Sequence, residues 1–83
     1  MKFIKKSEKG NEMSFELQGE DHTFSGLLVA GLLEDKDTEE ANYTIPHPLI
    51  GQPEFYLKVK KGKPREVLKR TLKKLKKDLN TLI

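Results

Sequence analysis

The sequence predicts an α+β fold of order ββαββα, a four-stranded, mainly antiparallel sheet with two helices on one face. Three observations carry this. Short stretches with apolar residues at every second position are strand-like, and two longer stretches with apolar residues every three or four are helix-like. Gly- or Pro-containing turns punctuate the chain between them. Each helix-like stretch follows a pair of strand-like ones, so the chain reads as two successive ββα runs.

Lys2 to Glu8 is extended in character, and Met13, Phe15 and Leu17 alternate with Ser14, Glu16 and Gln18 as a half-buried strand. Gly10-Asn11 between them suits a tight hairpin turn needing positive φ. Gly19 ends the second strand, and Asp21 or Thr23 can cap the helix that follows. Phe24, Leu27, Leu28, Gly31 and Leu32 then fall on one helical stripe. Gly26 and Gly31 each cost about 1 kcal/mol relative to Ala inside a helix. Either they admit another backbone at close range, or the helix is irregular. Glu34 to Glu40 reads as an acidic loop, and Ala41, Tyr43 and Ile45 as the alternating positions of a third strand. Pro46-His47-Pro48 must leave the ladder, because proline has no N–H to donate. Phe55, Leu57 and Val59 alternate with Tyr56, Lys58 and Lys60 as the fourth strand. Gly62-Lys63-Pro64 turns the chain into a last helix with Pro64 at its first position.

Eighty-three residues make one domain, 1–83, and a small one. A chain of this size removes only about 60–65% of its unfolded surface from water, so it usually needs a disulfide, a metal or a partner. There is no Cys, and the two histidines, His22 and His47, lack the spacing of paired ligands. A partner is the remaining source of stability. The N-terminus is no signal peptide, and the longest mostly apolar run, 24–33, is half a membrane span, so a cytoplasmic protein without membrane contact is expected. The net charge of +3 hides a strong asymmetry. Residues 58–83 hold eleven Lys or Arg against Glu66 and Asp78, whereas residues 1–57 hold five basic and eleven acidic side chains.

In the last helix Leu68, Leu72, Leu75, Leu79 and Leu82 form a heptad-like seam. Residues 64–83 would span about 30 Å as a helix, longer than the 17–20 Å of a typical strand. The seam can pack on the chain's own sheet, or its last turns can overhang and be covered by a partner; the length favours the second. The opposite side carries Lys69, Arg70, Lys73, Lys74, Lys76 and Lys77. That basic side makes a free-standing nucleic-acid-binding module acting through residues 58–77 the alternative function. Against it stand the lack of Trp and of interleaved aromatic, Asn or Gln residues to stack on or read bases. No phosphate-binding loop is present, since Gly62-Lys63 lacks both the upstream Gly and a following Ser or Thr. Glu20-Asp21-His22 sets acid beside base without a patterned nucleophile. The chain reads as non-enzymatic, with no catalytic residue, metal or cofactor.

Two segments resemble one known family. Glu20-Asp21-His22-Thr23-Phe24-Ser25-Gly26-Leu27-Leu28 is similar to the EDHTLGNLLR opening of the first helix in archaeal-type RNA polymerase subunit L and its eukaryotic counterparts. Ala41-Asn42-Tyr43-Thr44-Ile45-Pro46-His47-Pro48-Leu49-Ile50-Gly51 is similar to their AxYxxxHPLxG strand and loop. The resemblance marks Asp21, His22, Thr23, His47, Pro48 and Leu49 as family-motif residues. It implies the dimerisation fold shared with part of the bacterial alpha subunit, in which helices of two related subunits pack together. It further implies a D-like RNA polymerase subunit as heterodimer partner, and contact of the pair with the large polymerase subunits; DNA would be reached only through the complex. Phe24, Leu27, Leu28 and Leu32, with Leu68, Leu72, Leu75, Leu79 and Leu82, are the expected dimer interface. Gly26 and Val29 depart from the family's usual Asn and Arg.

Overall fold

The structure, a computed structural model, describes residues 2–19, 22–45 and 52–75, with His22 described by its backbone alone. Asp21, His47, Pro48, Leu49, Leu79 and Leu82 lie outside the described residues. Two ββα runs follow one another, as the punctuation of the sequence requires. They are β1 (Lys2–Lys9), β2 (Glu12–Gln18) and α1 (His22–Glu34), then β3 (Thr38–Thr44), β4 (Glu54–Val59) and α2 (Pro64–Lys74). The strands form one sheet in the order β1-β2-β4-β3, and every neighbouring pair is antiparallel.

Local chemistry fixes the first hairpin. Gly10 takes φ 60°, a left-handed conformation that only Gly adopts without a Cβ penalty. The turn closes on the Lys9–Glu12 pair. Asn11 then ties the hairpin tip to β4: its side-chain amide donates to the Val59 carbonyl at 2.8 Å, and its own carbonyl accepts from the Val59 N–H at 2.9 Å. Just past this end of β4, Gly62 (φ 79°) turns the chain, Lys63 stays extended, and Pro64 opens α2 at a position where a missing N–H costs nothing.

The alternation of the strands sorts the two sides of the sheet. Met13, Phe15, Leu17, Phe55, Leu57 and Val59 are buried beneath the helices together with Ala41. Four aromatic rings cross all four strands of this layer. Phe15 stacks on its register partner Phe55 with centroids 5.1 Å apart, Phe3 lies 5.3 Å from Phe15, and Tyr43 lies 5.7 Å from Phe55. Each such pair adds about 0.5–1.5 kcal/mol beyond the area it buries. The open side of the sheet is polar and carries Glu12, Glu16, Glu40 and Glu54. Tyr56 donates a hydrogen bond there to Glu12, which pushes the phenol up to about 12.

One strand differs from expectation. β3 begins at Thr38 rather than Ala41, which reduces the acidic loop to residues 35–37, and Ile45 falls just past the strand. A register shift between Thr38 and Glu40 lets Thr38 stay buried opposite Val59 while Glu39 points outward to Lys58, 3.1 Å away. An acidic pair is compatible with strand here because β3 is a sheet edge. Among the described residues no helix is long and apolar enough to cross a membrane.

Candidate dimerisation surface

Both helices lie over the same side of the sheet, and each turns one stripe towards it. Phe24, Leu28 and Leu32 of α1 are 7%, 0% and 1% exposed, and Leu68 and Leu72 of α2 are fully buried. These five belong to the chain's own core. This corrects the expectation that they form the surface offered to a partner. The physical reason is that the sheet and the neighbouring helix already cover these positions within the one chain. Leu75 is half-buried at the margin of the core.

What remains open to a partner is the other side of α1. Leu27 is 54% exposed and Leu33 55%, the exposed large apolar side chains among the described residues. They share that side with exposed Thr23, Gly26 and Ala30. The helix contains no Lys or Arg, and Glu34 is its one acidic residue. Ordinarily a surface helix carries charge opposite its core stripe, and a helix that is apolar all round is buried on both sides. The stripe read from sequence includes Leu27 and misses Leu33, because the buried arc is centred on Phe24, Ser25, Leu28 and Leu32. Ser25 is also buried there, at 0% exposure, without belonging to the apolar stripe.

The two helical glycines separate cleanly. A Cβ on Gly31 would come within 2.8 Å of the Thr71 methyl, so Gly31 lets α2 approach α1 closely. A Cβ on Gly26 would meet nothing within 4 Å. Its helix cost of about 1 kcal/mol relative to Ala is not repaid inside this chain. Val29, which stands where the resemblance leads one to expect Arg, packs half-buried against the core instead of projecting a charge.

A charged clamp holds the helix pair in place. Arg70 of α2 grips Asp35, just past α1, with two parallel hydrogen bonds of 3.0 and 3.1 Å, and reaches Asp37 at 3.0 Å. The hydrogen bond from Arg70 holds the Asp35 carboxyl below its ordinary value, against the opposing effect of burial. The Asp37 N–H also donates to Asp35 at 3.0 Å. Arg65 is likewise engaged, bonding Glu8 at 3.3 Å and lying over the Phe3 ring. By contrast Lys60, Lys61, Lys63, Lys69, Lys73 and Lys74 are exposed and form no ion pair among the described residues.

Nothing in this arrangement suits bond chemistry. Two open clefts, of about 320 and 450 Å³, are walled by charged side chains such as Asp35 and Arg70 or Glu8 and Arg65. They lack the hydrophobic and aromatic side chains that line a substrate site. Among the described residues no cluster of His, Asp or Glu is placed to hold a metal ion.

Residues 12–83 match the RNA polymerase Rpb3/Rpb11 dimerisation domain. The chain belongs to that family. It is 46% identical over 67 residues to DNA-directed RNA polymerase subunit Rpo11 of Archaeoglobus fulgidus, covering 81% of this chain and 78% of the relative. Rpo11 of Thermoplasma acidophilum is 40% identical over 78 residues, covering 90% and 70%. The crystal structure of DNA-directed RNA polymerase subunit L from Thermoplasma acidophilum superposes with a TM-score of 0.80 at 36% identity, covering 89% of this chain and 73% of that one. The ββαββα architecture is thus the one seen in an archaeal polymerase subunit. A dimerisation domain found in subunits of DNA-directed RNA polymerase, a transcription complex, supports a structural rather than a catalytic role.

Proposed function

We propose that the chain is a non-catalytic assembly subunit of a multisubunit DNA-dependent RNA polymerase, and that it heterodimerises with a D-like partner subunit. The pair then serves as the platform on which the large catalytic subunits assemble. The observation that carries this reading is the outer side of α1, where Gly26, Leu27, Ala30 and Leu33 are exposed in a member of a dimerisation family. Covering each leucine contributes about 1.5–3 kcal/mol, and the small residues between them allow a second helix to approach. Leu75, with Leu79 and Leu82 further on in the sequence, belongs to the same proposed interface. The Arg70 clamp supports the reading because it ties α2 to the turn that follows α1.

Co-expression with the D-type subunit of the same polymerase tests this. The wild-type chain is expected to co-purify at equal stoichiometry. Leu27→Asp is expected to abolish pairing while leaving the isolated chain folded, because Leu27 is already in water there. A buried carboxylate without a counter-charge costs several kcal/mol at an interface. Pairing of Leu27→Asp at wild-type affinity would remove α1 from the interface.

A further inference from the structure

The outer sides of α1 and α2 lie next to each other on one side of the sheet but differ in chemistry. The outer side of α1 is apolar, whereas that of α2 carries Lys69 and Lys73 one turn apart, exposed and without a counter-ion among the described residues. The acidic residues Glu12, Glu16, Glu40 and Glu54 sit across the molecule on the open side of the sheet. On the helix layer Glu8, Asp35 and Asp37 are taken up by Arg65 and Arg70, which leaves the exposed Glu66, one turn before Lys69, as the acidic residue of α2. Leaving exposed lysines unpaired costs little in water. It does create a positive strip beside an apolar one, and whatever covers the helix layer meets both.

We propose that the partner surface on this helix layer sets carboxylates beside its apolar ridge, and that Lys69 and Lys73 receive them. This rests on the heterodimer reading and deepens it by specifying the partner's chemistry. Two observations favour protein carboxylates over phosphates. A nucleic-acid backbone offers no apolar complement to Leu27 and Leu33, which stay 54% and 55% exposed alongside the strip. The two arginines of α2, whose flat forks suit phosphate best, are occupied by Glu8 and by Asp35 and Asp37. The free cations are lysines, point charges suited to an interface rim, where they steer encounter more than they add to affinity.

The test compares the wild-type chain with Lys69→Glu/Lys73→Glu and Lys69→Arg/Lys73→Arg, each binding the D-type subunit across a salt series. The Glu pair is expected to associate about tenfold more slowly or worse at about 50 mM salt, with the gap closing to about twofold at about 500 mM. The Arg pair is expected to match wild type, since charge rather than shape is what the strip supplies. Equal association of the Glu pair and wild type at low salt would overturn the proposal and leave the heterodimer reading standing. Failure of the wild type to bind at any salt would overturn both. A short DNA duplex provides the last arm. If the Glu pair loses duplex binding but keeps the wild-type association rate with the protein, the strip serves nucleic acid and the proposal falls.

Discussion

α1 and α2 are of similar length, thirteen and eleven residues, and lie on the same side of one sheet, yet their outer sides have nothing in common. α2 is sorted completely: Val67, Leu68, Thr71 and Leu72 face the core, and Lys69, Arg70 and Lys73 face out. Over Pro64–Lys74 it reads as a surface helix whose inner stripe is met by its own sheet. α1 buries a comparable stripe and then exposes a second one of Gly26, Leu27, Ala30 and Leu33. It reads as the middle layer of something larger. The difference shows that hydrophobic content alone does not identify an interface; what matters is the apolar surface left over after the domain has closed its own core.

The inner stripes should break first and hardest. Leu28→Ala in α1 and Leu68→Ala in α2 each empty a fully buried site and should cost about 2–5 kcal/mol in urea unfolding. That is a large share of the roughly 5–15 kcal/mol typical of a whole domain. Similar losses at the two sites would confirm that the helices are equal partners inside. A loss below about 1 kcal/mol at either would remove that residue from the core.

The glycines sharpen the contrast with smaller effects of opposite sign. Gly31→Ala drives a methyl into the buried, β-branched Thr71 and should destabilise by about 1–3 kcal/mol, less what Ala gains in helix propensity. Thr71→Ala in the same chain should restore most of that loss. Gly26→Ala meets open space and should stabilise the isolated chain by up to about 1 kcal/mol. Thermal unfolding of the three variants decides it, and a loss on Gly26→Ala would show that this position is crowded from within.

The smallest effect concerns the clamp. Because Arg70 lowers the folded-state pKa of Asp35 below 3.8, the stability it provides is present above that value and is lost as pH falls through the lowered one. The wild-type melting temperature should therefore fall more steeply below about pH 4 than that of Asp35→Asn. Parallel pH profiles for the two chains would show that the clamp contributes nothing to folding.

The sheet was legible because alternation is strict where one side is dry: a one-residue slip of Met13-Phe15-Leu17 against Phe55-Leu57-Val59 would turn the apolar set to the wet side. The turns at Gly10 and Gly62 were legible because few residues accept their conformation. The start of β3 was hidden because an edge strand tolerates Glu39 and Glu40. The division of the leucines was hidden for a different reason. Helical spacing says which residues share a stripe, but it cannot say how much of the stripe one sheet covers. Phe24, Leu28, Leu32, Leu68 and Leu72 are therefore core where an interface was expected, and Leu33 went unremarked. The partners of Arg70 carried no sequence signal, since Asp35 and Asp37 are thirty-five and thirty-three positions away.

The strand order has a consequence for how the chain comes together in time. β1 pairs with β2 and β3 with β4, so each ββα half can begin from neighbours in sequence, but the sheet joins the halves only along β2–β4. Closing that seam brings distant residues together and bears the larger loop entropy, which makes it the slow event in folding. Phe15 and Phe55 stack across it, so the ring pair is where the two halves first gain from meeting. On the ribosome the first half emerges with the far edge of β2 unpaired, and that edge stays open until β4 has been synthesised. The nascent chain is most exposed to mispairing while residues 19–53 are being made, well before any partner is needed.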